Sequence, residues 1–236
     1  MTLKLPYNVE LVKPGHVFPA GRLNAYTTMP GEQALISVSD KGVTLHTKAL
    51  DTPVQGAYLT KRLAGLHTTL RCTNGAGMTA EQHKAYEEGA VLIGSIQPRN
   101  LLSDVIAPNG PDDVAFCLFA CVPLRAYLKG GDTLGHEIRY YHAMRAIQNH
   151  KLIDVSGVAP LVRGMSLCRD LPWLGVSTGK VLTSSQIWEL AQYNVMLSQA
   201  STLLFDPYMP YGAGLPLVKK ITPKAVRDHF ENEDEL

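Results

Sequence analysis

The stretch Gln33-Ala-Leu-Ile-Ser-Val-Ser-Asp-Lys-Gly-Val-Thr-Leu-His-Thr-Lys48 contains two β-compatible runs on either side of a turn signal. Gly42 can adopt the left-handed conformation that a short hairpin loop needs, and the flanking runs are rich in apolar and β-branched residues. The pattern predicts a β-hairpin over about residues 33–48. Upstream, Leu3 to Pro19 includes three prolines, which favours an extended segment.

Helical signals begin further along the chain, from about residue 79. Thr79-Ala-Glu-Gln82 and Thr183-Ser-Ser-Gln186 both match the capping box, in which a threonine and a glutamine three residues later bond the first amides of a helix. We expect helices from Thr79 to about Ile93 and from Thr183 to about Phe205, and a buried helix over Val114–Val122. A further helix is predicted by the spacing of Leu134, Ile138, Tyr141, Met144 and Ile147.

Together these patterns predict an α+β protein that is mainly α, with a small β-rich N-terminal part followed by a helical body. The predicted division is residues 1–60 for the β-rich part with its extended arm, residues 61–204 for the helical body, and residues 205–236 for an extended apolar arm and an acidic tail. With 236 residues, of which 45% are hydrophobic, the chain is long enough to bury a core.

The distribution of charge is unusual for a globular chain. Charged residues make up 18% of the sequence, whereas about a quarter is typical. Between Val181 and Val218 the charged residues are Glu189 and Asp206 alone, so this segment must be covered by the protein itself or by another molecule. The formal net charge of +1 combines a basic middle with an acidic C-terminal end.

Several functional classes find no support in the sequence. Four cysteines are too few and too scattered for a disulfide framework. No apolar run reaches the roughly 20 residues that span a bilayer, so we expect no membrane partner and a location in the cytoplasm or in a virion. The sequence predicts no metal site and no cofactor.

One motif leaves an enzymatic alternative open. Gly175-Val-Ser-Thr-Gly179 matches the nucleophile-elbow pattern G-x-S-x-G, and Asp206 and His229 follow in the order of an α/β-hydrolase. The elbow requires a strand before the serine and a helix after it, which the surrounding sequence does not indicate. A small hydrolase-like enzyme with a pocket around Ser177, and with His142 or His229 as its partner, is the alternative hypothesis.

Basic residues are the other candidates for a functional surface. If the two parts of the chain form lobes, these side chains could line the groove between them and contact the phosphates of RNA or DNA, with Tyr127, Tyr140 and Tyr141 as stacking faces. The simpler interpretation is a set of ordinary surface cations. The candidate nucleic-acid contacts are Lys61, Arg62, Arg71, Arg125, Lys129, Arg139, Arg145, Lys151 and Arg163.

Low charge, apolar segments near both ends and a basic middle favour a self-assembling nucleocapsid or coat-type protein over an enzyme. In this hypothesis terminal arms dock on neighbouring copies to form a homo-oligomer, while the central groove binds nucleic acid, RNA more readily than DNA. A purely structural viral or phage component that binds no nucleic acid is the third hypothesis. The predicted arm residues are Phe205, Tyr208, Met209, Tyr211, Leu215 and Leu217.

Overall fold

The computed structural model places two β-sheets at the centre of the protein. The residues that the structure describes are 3, 8–19, 21–28, 32–47, 53–55, 63, 65–72, 79–97, 115–129, 142, 145–146, 176–206 and 217–233. The strands are β1 (Asn8–Leu11), β2 (Gly21–Thr28), β3 (Glu32–Ser39), β4 (Gly42–Thr47), β5 (Ala90–Gln97), β6 (Ala115–Pro123), β7 (Val176–Leu182), β8 (Ser201–Phe205) and β9 (Leu217–Ile221). The helices are α1 (Leu66–Cys72), α2 (Ala80–Lys84) with a 3-10 turn at Ala85–Glu88, α3 (Leu124–Lys129), α4 (Ser184–Ser198) and α5 (Pro223–Glu233).

The strands form a large and a small sheet. In the part of the chain that the structure describes, the large sheet has five strands in the order β1-β9-β8-β2-β7, and the small sheet has four in the order β4-β3-β5-β6. β1 and β9 run parallel, whereas the other neighbouring strands are antiparallel. The N-terminal strands are divided between the two sheets, since β1 and β2 lie in the large sheet and β3 and β4 lie in the small one.

The two sheets pack face to face through an inter-sheet core. Along each strand, alternate side chains point to opposite faces, so one apolar set from each sheet can meet the other. Val91 and Ile93 of β5 supply this set from the small sheet, and Leu203 and Phe205 of β8 supply it from the large one. The inter-sheet core comprises Leu3, Leu35, Val91, Ile93, Ala120, Val122, Tyr127, Leu203, Phe205 and Val218.

The outer face of the large sheet is covered by α4 and α5, which form a second buried cluster with it. Trp188 is the anchor of this cluster, because its indole Nε1 donates a hydrogen bond to the His16 carbonyl at 3.0 Å. Its ring also stacks on His229 with 3.9 Å between ring centroids. The Gly15 amide donates to His229 Nδ1 at 3.1 Å, so the loop between β1 and β2 is bound to both helices.

The structure confirms the predicted hairpin and both capping boxes. β3 and β4 pair in register, from Ala34 opposite Thr47 to Ser39 opposite Gly42. Gly42 has the positive φ of 111° that the loop requires. At the start of α4, the Thr183 side chain accepts a hydrogen bond from the Gln186 amide, and the Gln186 side chain accepts one from the Thr183 amide. The same reciprocal pair caps α2.

The prediction of a mainly α protein is wrong, because the described core is rich in β-structure. The run Val114–Val122, predicted as a helix, lies almost wholly in strand β6, and the helix predicted to reach Ile93 ends at Lys84. Short apolar runs without a clear period fit a buried strand as well as a buried helix. The helix predicted to reach Phe205 ends at Ser198, and β8 follows.

The prediction of a helix between Leu134 and Ile147 is tested at a few residues only. The predicted helix around Leu134 to Ile147 falls largely outside the described residues, although His142, Arg145 and Ala146 are helical. None of the helices in the described ranges combines the length and the apolar character needed to cross a membrane.

Candidate functional site

A cavity of about 560 Å³ lies beside the inter-sheet core, at the end of the small sheet where β3 turns into β4. Leu35, Ser37 and Ser39 alternate along β3 on one face, and Leu35 belongs to the inter-sheet core. Thr44 and His46 of β4 pair with Ser37 and Leu35 respectively, so their side chains share that face. The polar side chains around the cavity are Ser37, Ser39, Lys41, Thr44, His46 and Gln55.

The other walls come from segments that are separate in sequence. Leu45 and Val54 exchange two backbone hydrogen bonds of 2.8 and 3.0 Å, which hold residues 53–55 against the edge of β4. Leu3 from the N-terminal segment and Leu124 from the start of α3 also line the cavity. The cavity is therefore assembled by the tertiary fold and not by the hairpin alone.

His46 connects three parts of the cavity wall through hydrogen bonds. Its Nδ1 accepts from the Leu3 amide at 3.4 Å, so this nitrogen carries no proton. In the neutral ring the proton is then on Nε2, which donates to Ser37 Oγ at 3.2 Å. Ser37 Oγ in turn donates to the Thr44 carbonyl at 3.4 Å. Every donor in this series of hydrogen bonds has an acceptor.

This arrangement argues against a serine–histidine dyad at Ser37. A general base needs an unprotonated nitrogen facing the nucleophile, and the nitrogen of His46 that faces Ser37 is the protonated one. Burial lowers the pKa of His46 from 6.5 to about 4, so the ring is neutral at pH 7. His46 therefore has a structural role in this cavity, as a link between the N-terminal segment and the hairpin.

Lys220 is the second chemically notable group on the inter-sheet side. It pairs with Leu203 on β8 and follows Val218 by two residues on β9, and both of these side chains are in the inter-sheet core. Lys220 thus points toward the small sheet, and burial lowers its pKa below the usual 10.5. Lys219 points to the opposite face, where its Nζ lies 3.1 Å from His16 Nε2.

The surface beside Lys220 is apolar and uncovered. β1 pairs with β9 in parallel, so Val9 and Leu11 lie on the same face as Val218 and Lys220. Val9 is 40% exposed and Leu11 is 65% exposed, whereas Val218 is fully buried. Lys220 therefore lies at the border between the closed inter-sheet core and an open apolar surface.

Two further histidines, His67 and His142, are buried against Tyr86. Both nitrogens of His67 face acceptors, because Nδ1 lies 2.9 Å from Asp40 Oδ1 and Nε2 lies 2.8 Å from the Tyr86 carbonyl. His142 packs against the rings of Tyr86 and His83, at 4.8 and 5.3 Å between centroids. Burial, followed by the charge of His83, lowers the pKa of His142 to about 4.

The predicted nucleic-acid contacts are only partly described. Arg71 and Lys129 are exposed at the ends of α1 and α3, and Arg145 is exposed in a helical segment. Arg125 is also exposed and forms an ion pair with Glu88 at 3.3 Å. Tyr127 is fully buried in the inter-sheet core, so its ring offers no stacking face. Lys61, Arg62, Arg139, Lys151, Arg163, Tyr140 and Tyr141 lie outside the described residues.

The predicted arm begins and ends in strands of the protein's own fold. Phe205 is the last residue of β8 and is 2% exposed in the inter-sheet core, and Leu217 is the first residue of β9. Tyr208, Met209, Tyr211 and Leu215 lie outside the described residues. At Phe205 and Val218 the apolar side chains of this segment are therefore buried within the same chain.

The hydrolase alternative does not fit the backbone. Ser177 lies inside strand β7, opposite Asn24 of β2, and not at a turn between a strand and a helix. His229 packs on Trp188, and His142 is buried among aromatic rings. In the part of the chain that is described, no group of three or more potential ligands could hold a metal ion. Cys72 is exposed there, and Cys121 is buried.

The sequence interpretation missed Lys220 and the polar side chains of the cavity. A signal for the cavity was present, since hydroxyl and imidazole groups alternate with apolar residues in both strands of the predicted hairpin. For Lys220 the signal was weaker. Two adjacent lysines in an apolar strand must point to opposite faces, so one of them has to lie on a covered face of a two-sided sheet.

The comparisons with known proteins give a fold but no family. No protein-family model and no curated protein matches this chain. Among solved structures, the chain resembles the "ATP-dependent DNA ligase from bacteriophage T7 complex with ATP", with a TM-score of 0.50, 16% identity, and coverage of 93% of this chain and 68% of the ligase. A mycobacterial DNA ligase D complexed with ATP and MES matches at a TM-score of 0.41 and 14% identity, over 94% of this chain and 60% of that one.

Another similar structure is that of "Pmar-Lig_PreS3", with a TM-score of 0.49, 12% identity and coverage of 84% of this chain. The present chain spans 42% of the length of that protein. The fold is therefore that of the phage ligase, and this finding contradicts the prediction of a nucleocapsid or coat-type protein. It also contradicts the prediction that the chain has no enzymatic character, because the phage protein of similar fold is an enzyme.

Proposed function

We propose that this chain is a DNA-ligase-like enzyme that binds ATP between its two sheets and acts on DNA. The observation that carries the proposal is the fold shared with the phage ligase, which extends over 93% of this chain. Because one fold can support different activities, the proposal must also rest on the chemistry of specific residues. Lys220 and the surface beside it supply that chemistry.

Lys220 is suited to contact a phosphate. An ammonium group is a phosphate ligand in many nucleotide sites, and its attraction for an anion is stronger where water is partly excluded. Lys220 is half-buried, and this partial removal from water lowers the pKa of its amine. Transfer of phosphoryl-type groups depends mainly on positioning and on electrostatic stabilisation of the phosphate oxygens, and a cation in this position provides both.

The open surface next to Lys220 fits the rest of a nucleotide. Val9 and Leu11 present exposed apolar side chains on the same face as the lysine. An apolar surface next to a cation matches a ligand with a flat base at one end and phosphates at the other. For DNA, the exposed cations of α1 and α3, which include Arg71, Arg125 and Lys129, are candidate contacts with the backbone phosphates.

The test compares Lys220→Met with Lys224→Met. Lys224 is the matched control, because it is an exposed lysine on α5, the helix that covers the outer face of the large sheet. Its Nζ forms an ion pair with Asp228 at 2.6 Å. ATP affinity is measured by calorimetry, and joining activity is measured on a nicked duplex with a 5′-phosphate. Loss of charge-assisted hydrogen bonds to a phosphate should weaken ATP binding about 10- to 100-fold in the Lys220 variant and leave the control unchanged.

Two results would count against the proposal. If the unmodified protein binds no ATP, the nucleotide site is rejected. If it binds ATP but joins no nicked duplex under any divalent-metal condition tested, the ligase-like activity is rejected and nucleotide binding alone is retained.

A further inference from the structure

We propose that the cavity at the β3–β4 end of the small sheet is a second anion site, which takes a small phosphate monoester with an apolar body. This site goes beyond the proposed function, because Lys220 is not among its described lining residues and the site does not depend on ligase-like activity. Four features of the cavity support it: unused donors, a favourable charge, an apolar wall and separation from the surface around Lys220.

The cavity contains more hydrogen-bond donors than the protein itself uses. The Ser37 hydroxyl is occupied, since it accepts from His46 and donates to the Thr44 carbonyl. Ser39 Oγ accepts from the Lys41 amide at 3.2 Å, which leaves its own proton available. Within the described ranges, the side chains of Lys41, Thr44 and Gln55 have no partner. These groups offer a cation, hydroxyl protons and amide protons to a ligand.

The charge of the cavity favours an anion. Lys41 is the one charged side chain among the described lining residues, and no carboxylate lies among them. Asp40 is adjacent in sequence, but its carboxylate is directed to His67, at 2.9 Å from Nδ1. His46 is neutral at pH 7, so its ring neither attracts nor repels an anion through a net charge. A phosphate, with several acceptor oxygens, matches one ammonium and several hydroxyl donors.

The size and the apolar lining of the cavity predict a ligand larger than a bare phosphate. Its volume of about 560 Å³ is within the range of about 300–1,000 Å³ that is usual for small-molecule pockets. Leu3, Pro53 and Leu124 provide apolar contact area in the same cavity. A ring or short alkyl body on the phosphate would cover this wall and gain affinity from burial.

The site is separable from the one proposed for ATP. Lys220 is not among the residues that line the cavity, and its neighbours Leu11 and Leu203 belong to the large sheet. Lys41 and Thr44 belong to the hairpin of the small sheet. Variants in the two sheets therefore report on the two sites independently.

The experiment is a calorimetric titration with phenyl phosphate as the probe and phenol as its uncharged counterpart. Phenyl phosphate should bind saturably with a Kd of about 1 mM or tighter, and phenol should bind at least about 10-fold more weakly. Lys41→Met should weaken phenyl phosphate binding about 10-fold or more, and Thr44→Val should weaken it about 2- to 10-fold. Lys84→Met, which removes an exposed lysine from α2, is the matched control and should have no effect.

The outcomes separate this second site from the proposed function. Lys220→Met should retain phenyl phosphate binding, whether or not it loses ATP. Absence of saturable binding in the unmodified protein, equal affinity for phenol, or an unchanged affinity in folded Lys41→Met protein would each overturn the second site. Parallel loss of ATP and of phenyl phosphate in both lysine variants would show a single shared site and would also overturn it.

Discussion

The buried histidines make the stability of this protein depend on pH in a defined window. His46 is 5% exposed and His142 is fully buried, and burial lowers the pKa of each from 6.5 to about 4. The unfolded chain therefore binds these two protons at a higher pH than the folded protein does. Stability from the neutral rings is fully present above about pH 6.5 and is lost as the pH falls from there to about 4.

The size of this loss in stability follows from the folded and unfolded pKa values of the two histidines. Each tenfold difference in proton affinity corresponds to about 1.4 kcal/mol, and a displacement from 6.5 to about 4 gives roughly 3 kcal/mol per histidine at complete protonation. Between pH 7 and pH 5 the expected loss in the free energy of unfolding is about 2 kcal/mol for each ring. For His46, the physical reason is that burial of the ring disfavours its charged form.

The assay is urea denaturation at pH 7 and pH 5 for the unmodified protein, His46→Gln and His142→Phe. Glutamine retains a donor toward Ser37 but does not titrate, and phenylalanine retains the ring packing against Tyr86. Each variant should lose about 2 kcal/mol less than the unmodified protein between the two pH values. A variant that loses the same free energy as the unmodified protein would refute the reasoning for that histidine.

Two further predictions concern stability, and both are measured by chemical denaturation. Gly89→Ala should cost more than about 3 kcal/mol, because φ is 127° and a Cβ would lie 2.6 Å from the Val38 carbonyl oxygen. Gly15→Ala, at φ 73° with open space around it, should cost about 1 kcal/mol. Equal costs for the two variants would contradict the steric argument. Trp188→Ala should cost about 3–5 kcal/mol through lost packing and the lost bond to the His16 carbonyl, and a cost below about 1 kcal/mol would show that the loop before β2 does not depend on this anchor.

Features fixed by local chemistry were predictable from the sequence. The hairpin follows from a glycine between two β-compatible runs, and each capping box follows from two side chains three residues apart. These interactions are contained within a few residues, so their patterns carry the structural information directly. The start of α4 at Thr183 was therefore predicted correctly, while its end was not. The helix ends where Gln199 adopts a left-handed conformation with φ 53°, at a position without the glycine that usually marks such an end.

Features fixed by distant partners were not predictable in the same way. β6 is a strand because it pairs with β5 along its whole length, and β5 ends at Gln97, well before β6 begins at Ala115. Likewise, Lys220 becomes a site residue only because Leu203 and Val218 place its face against the small sheet. The sequence identifies the lysine, but the face on which it lies is decided by tertiary pairing.

The unequal size of the two sheets explains why the candidate ATP surface lies where it does. Within the described residues, four strands of the small sheet face five strands of the large one, and the larger inner face is exposed at Val9 and Leu11. Burial decreases across the large sheet from Leu203 on β8, 4% exposed, to Lys220 on β9, half-buried, and to Leu11 on β1, 65% exposed. Such a gradient places a cation where it is partly desolvated and still accessible. Extending the small sheet over this edge would bury Leu11 and would also close the approach to Lys220, so the apolar exposure and the accessible amine arise from the same feature of the fold.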